Sequence, residues 1–170
     1  MVDKYEAKHF IEERIGSGYT IPTIGVWDSF DEIDFDMLPE QFVLKCTHGS
    51  GSIVFVEDKD KFDKKEAKRI LEKALGINYY WIGREWPYKN VKSRIIAKQY
   101  INDLNKNELM DFILFCFGGK VRIIFVDFDH TLNHIGKRNI YDRQWEYLPF
   151  SIGYPSVPEK IIEKPKCLKK

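Results

Sequence analysis

Two pairs of short apolar runs, each closed by a small-residue turn, constrain this chain more tightly than anything else in it. Phe42–Cys46 (FVLKC) and Ile53–Val56 (IVFV) flank the loop Thr47–Ser52, while Phe112–Phe117 and Val121–Phe128 flank Gly118-Gly119. Such short connections join antiparallel neighbours, because a parallel crossover needs a dozen residues or more. Two capped helices accompany the hairpins. In the first, Asp3 and Glu6 form a capping-box pattern, and Ala7, Phe10, Ile11 and Ile15 mark one apolar face before Gly16 and Gly18. In the second, Asp63 and Glu66 are the box, Ala67, Ile70, Leu71, Ala74 and Leu75 the buried stripe, and Gly76 the stop. The fold class is therefore α+β, with antiparallel sheets and flanking helices.

Between these elements, TIPTIGVW (20–27) and RIIAKQYI (94–101) read as strands, and the acidic stretch Asp28–Pro39 reads as a surface connection. Asn78–Ser93 is aromatic and irregular, either a lid or a loop packed on the domain. The tail Pro155–Lys170, with three prolines and five lysines, offers no further strand or helix long enough to close a sheet and looks cut off.

Composition narrows the function classes. At 44% hydrophobic residues, the 170-residue chain can bury one sizeable core or two small ones. No apolar run approaches the ~20 residues of a spanning helix, and the N-terminus has no apolar signal core, so the expected location is cytoplasmic. Three cysteines without a CxxC pair argue against a disulfide framework or a thiolate metal site, and Cys46 and Cys116 are expected to be small buried hydrophobes. A net charge of +1 gives no global electrostatic case for nucleic acid.

Chemistry is suggested at a few places. Lys45 precedes the loop His48-Gly49-Ser50-Gly51-Ser52, and a strand-anchored ammonium followed by small residues suits phosphate binding, because backbone N–H groups can then approach the oxygens closely. An ordinary hairpin connection has the same composition, so the loop alone leaves both readings open. Ile123–Leu132 resembles the DxDxT nucleophile motif of haloacid-dehalogenase-type phosphatases, with Asp127, Asp129 and Thr131. No acidic pair follows to hold magnesium, and two carboxylates capping a hairpin end rank above that reading. His130 and His134 have a zinc-compatible spacing but no helical periodicity around them, which favours a loop. Lys137-Arg138 beside Tyr141 is either a solvated turn or an arginine reaching a phosphate.

Five blocks, DKYEAKHFIEERIGSGYTIPTIGVWD, LPEQFVLKCTHGSG, YYWIGREWPYKNVKSRIIAKQYI, DFILFCFGGKV and KRNIYDRQWEYLPF, together resemble the ATP-grasp family typified by teichuronopeptide-biosynthesis (TupA-like) proteins. The resemblance implies a partial ATP-grasp fold. Residues 1–40 would be a linker helix and entry strand, 41–101 a nucleotide-binding lid subdomain, and 102–170 the start of a second subdomain lacking its C-terminal strands. It implies ATP as cofactor, contacted by Lys4, Lys45 and the loop His48–Ser52. Lys98, Gln99, Tyr100 and Ile101 would form the hinge beside adenine, and Arg138 would stabilise the transferred phosphate or acyl phosphate. The family commonly has glutamate at Lys98 and lysine at Ile113.

The implied reaction is carboxylate–amine ligation on a cell-surface polysaccharide or sugar-acid precursor. Magnesium is expected to arrive with ATP, since the family's metal-binding carboxylates lie in a C-terminal block with no equivalent here, which implies impaired catalysis and an exposed edge prone to self-association. A non-catalytic nucleotide- or glycan-binding module is the alternative, with Trp81, Trp86 and Trp145 as stacking surfaces if exposed.

Overall fold

The structure, a computed structural model, describes residues 2–101, 109–129 and 136–169. It divides into two compact units, 1–101 and 102–170. In the first, helix α1 (Glu6–Ile15) precedes strand β1 (Thr23–Trp27), the hairpin β2 (Phe42–Cys46) and β3 (Ile53–Val56), helix α2 (Lys64–Leu75), a single helical turn α3 (Tyr80–Gly83) and strand β4 (Ile95–Gln99). The strands form one sheet in the order β1-β4-β2-β3, antiparallel at every junction. The fold is α+β, as the hairpins required.

Alternation along β2 organises this unit. Phe42, Leu44 and Cys46 are fully buried beneath Ala67 and Leu71 of α2, while Val43 and Lys45 face the other side of the sheet. Each large apolar side chain removed from water here contributes about 1.5–3 kcal/mol. Helix α2 starts where Asp63 Oδ1 accepts from the N–H groups of Lys65 and Glu66, both at 3.0 Å.

Two expectations are corrected. The stretch 28–39 is not a surface connection: Phe30, Ile33, Phe35 and Leu38 are buried, carried on two short 3₁₀ turns, and the Phe35 ring lies 5.3 Å from Phe30 and 5.6 Å from Phe62. Its acidic residues point outward, which masked the apolar ones in the sequence. The expected apolar face of α1 is also not buried. Phe10, Ile11 and Ile15 are exposed, and the inward residue is Lys8.

The second unit is a three-stranded antiparallel sheet of β5 (Asp111–Phe117), β6 (Lys120–Phe128) and β7 (Lys137–Asp142). Gly118 (φ +56°) and Gly119 (φ +74°) make the turn between β5 and β6, a conformation that glycine takes at little cost. Of the two readings of Lys137-Arg138, strand β7 excludes the solvated turn. Ile124, Val126 and Phe128 form the core with Tyr141 and with Ile162 of the tail. Asn139 clasps that tail through bonds with Val157 O (2.7 Å) and Val157 N (2.9 Å). Trp145, a stacking surface only if exposed, is partly buried against Tyr141, rings 4.4 Å apart. Cys46 is buried as expected, but Cys116 is exposed because the whole of β5, a sheet edge, is exposed. Among the described residues no helix is long and apolar enough to cross a membrane.

Candidate functional site

The loop that joins β2 to β3 is buried and bonded at its base and open at its tip. Thr47 is fully buried, receives a backbone bond from Lys4, and donates its hydroxyl to Lys92 O at 3.2 Å. His48 turns inward, with Nε2 3.0 Å from Ala74 O at the end of α2, so its side chain anchors the loop; its buried Nδ1 has no partner among the described residues. Beyond it the chain reaches the surface. A Cβ on Gly49 would come within 3.1 Å of the Tyr79 ring, a tight fit, and Gly51 has φ +86°, a conformation that favours glycine. The tip residues Ser50 and Gly51 are exposed, while Ser52 lies close enough to bond the Cys46 thiol.

Four lysines gather by this loop and along one face of the sheet. Lys45 and Lys98 lie on the face opposite α2, since Lys45 pairs with Ile96 and Lys98 with Val43. Lys4 Nζ donates to Thr47 O (3.4 Å) and to Gly49 O. Lys8 Nζ donates to Ile21 O and to Thr23 Oγ1 (2.9 Å), and Thr23 pairs with Lys98. Arg94, at the entry to β4, holds the preceding segment in place through Asp3 (3.3 Å) and Glu6 (2.9 Å), which fixes where Lys4 points.

The electrostatics follow from this crowding. Burial and then the Lys45 charge hold Lys4 below the usual lysine range, and burial lowers Lys8. Lys98 falls furthest, to about 8, first through burial and then through Lys45, Lys8 and Lys4. Sequence reasoning missed Lys8 as part of this group, because Lys8 lies on α1 and Lys4 before it. It also read Lys98 for its backbone alone.

The segment expected as the hinge, Lys98–Ile101, lies at the end of β4. Gln99 N bonds Pro22 O at 3.1 Å, and Tyr100 Oη donates to Glu57 at 2.8 Å. Ile101 is exposed. Gln99 and Tyr100 line an open cleft of about 500 Å³ with Gln41 and Glu57.

A family model described as TupA-like ATPgrasp matches residues 1–170. The chain belongs to the TupA-like ATP-grasp family. No curated relative matches it. As an ATP-grasp protein it is of a kind that generally binds ATP and magnesium. The lysine face suits the phosphates of the first and is unsuited to a bare cation. Among the described residues no group of three or more His, Cys, Asp or Glu is placed to hold a metal.

In the second unit of this ATP-grasp chain, Arg138 is tied to the sheet. Its Nε and Nη2 each lie 2.6 Å from an Asp127 oxygen, its Nη1 donates to Ile152 O, and its guanidinium covers the Phe125 ring. Asp127, the carboxylate of the phosphatase-like motif, is thus held by an arginine in an antiparallel strand. His130, Thr131 and His134 lie outside the described residues.

Proposed function

We propose that the chain holds ATP for an ATP-dependent carboxylate–amine ligase acting on a cell-surface polysaccharide precursor. The observation that carries the reading is the lysine group beside a glycine-bearing loop on a family-matched sheet. Lys45 and Lys4 balance the charge of the phosphates, and the N–H groups of Gly49–Ser52, whose tip residues Ser50 and Gly51 are exposed, cover them. His48 serves by anchoring that loop. The backbone of Lys98–Ile101 borders the adenine.

ATP supplies the phosphoryl group that activates a carboxylate for attack by an amine, and magnesium enters with its phosphates. Arg138 keeps two N–H groups beyond those engaged by Asp127 and Ile152, and through these it serves as an anion ligand of the second unit. Self-association, where it occurs, uses β5, an exposed apolar edge onto which a second copy can pair.

A second reading, a glycan-binding surface, is favoured by one observation. Trp81 and Trp86 are 60% and 68% exposed, and Arg84 and Lys89 stand 4.5 and 4.4 Å over their rings.

Calorimetric titration with ATP tests the main reading. Lys45→Ala should lose about 1.5–3 kcal/mol of binding, the range for a hydrogen bond to a charged group. Equal affinities in wild type and variant would remove Lys45 from the site.

A further inference from the structure

Lys98 is surrounded by positive charge. Lys45 acts on it from β2, two residues along the same face from Val43, which pairs with Lys98, and Lys8 acts from α1 and Lys4 from the segment before α1. The residues paired with it on β1 and β2, Thr23 and Val43, are neutral. The nearby carboxylates act on its neighbours: Asp3 on Lys4 and Glu12 on Lys8. Lys4 and Lys8 each donate to two protein oxygens, which leaves each one of its three N–H groups. Neither Lys45 nor Lys98 bonds a protein oxygen among the described residues. Such a group of ammoniums is complementary to a chain of phosphates, whose many oxygens relieve the mutual repulsion.

We propose that Lys98 is a phosphate ligand of this site and that it acquires its proton as the oligophosphate arrives, so that binding is coupled to proton uptake. The inference rests on the ATP reading above and deepens it. Burial and three neighbouring cations keep part of the free Lys98 neutral at mildly alkaline pH; contact with phosphate oxygens restores its charge. No other group need change, because a nucleotide's phosphates are already ionised well below this range. The sign is fixed: above pH 8 the free site must be protonated before the anion is held, so affinity falls as pH rises.

The experiment is calorimetric titration with ATP at pH 8.5 in two buffers of different ionisation enthalpy, together with affinities at pH 8 and 9. The expected uptake is roughly 0.8 proton per ATP, the neutral fraction at pH 8.5 of a group titrating near 8, and affinity should fall about fivefold from pH 8 to 9. Lys98→Arg, charged at every pH, should bind without uptake, and Lys98→Gln should bind more weakly, also without uptake. ATP binding with no proton uptake, or uptake unchanged in both variants, overturns the inference alone. Absence of any ATP binding by the wild type overturns the ATP reading and this inference with it.

Discussion

Arg138 and Asp127 face each other across β7 and β6 and meet through two contacts of 2.6 Å, with both side chains almost wholly enclosed. A pair made this way ties the edge strand β7 to the centre of the sheet. Both oxygens of Asp127, the first carboxylate of the phosphatase-like motif, are engaged by Arg138.

Removing one partner leaves a buried charge. Asp127→Asn or Arg138→Met should therefore destabilise the chain by about 3–5 kcal/mol, read as a shift in the denaturation midpoint, whereas Asp127→Leu combined with Arg138→Met should recover part of the loss. Equal stability in the single variants would show the pair to be dispensable.

Phe35 tests the correction to residues 28–39. Its ring sits among Phe30, Phe42 and Phe62, so Phe35→Ala should cost about 3–5 kcal/mol. A surface connection would lose less than about 0.5 kcal/mol in the same denaturation measurement.

Lys8 is 7% exposed and holds Ile21 O and Thr23 Oγ1. Lys8→Met keeps the apolar stem and strands both oxygens. It should cost about 1–3 kcal/mol of stability, measured by thermal unfolding, and an unchanged midpoint would contradict the anchoring role.

For Lys98 the linkage runs opposite to that of a lysine with an anionic partner. Its folded value, about 8, lies below the ordinary 10.5, so the unfolded chain binds more protons between these limits and Lys98's contribution to stability rises with pH through that window. Full linkage over 2.5 units would be about 3.4 kcal/mol, and solvent screening of a half-exposed ammonium reduces this to about 1–2. Lys98→Met should thus be more stable than wild type at pH 7, with the gap closing by pH 10. A gap independent of pH would contradict the assignment.

The hairpins, both helix starts and the α+β class were legible because they depend on local chemistry: paired β-runs with glycine turns, and Asp63 ahead of its helix. Phe30–Leu38 was not, because its apolar residues follow the spacing of 3₁₀ turns within a run of acids. Strand β7 escaped because its polar residues, Arg138 and Asn139, are buried through partners distant in sequence, Asp127 and Val157. At the site, Lys45 and the loop were visible as neighbours in the chain. The convergence of Lys4, Lys8 and Lys98 depends on strand register, and only the lysine of β2 announces it.

The central claim is that the lysine face and loop of the first unit hold ATP. Amide chemical-shift mapping during titration of the chain tests it most directly. With ATP, shifts should concentrate at Lys45, Gly49–Ser52 and Lys98–Ile101; with inorganic tripolyphosphate, they should appear at the loop and Lys45 and spare Tyr100 and Ile101. Shifts confined to Asp111–Asp142, or none at either ligand, would contradict it.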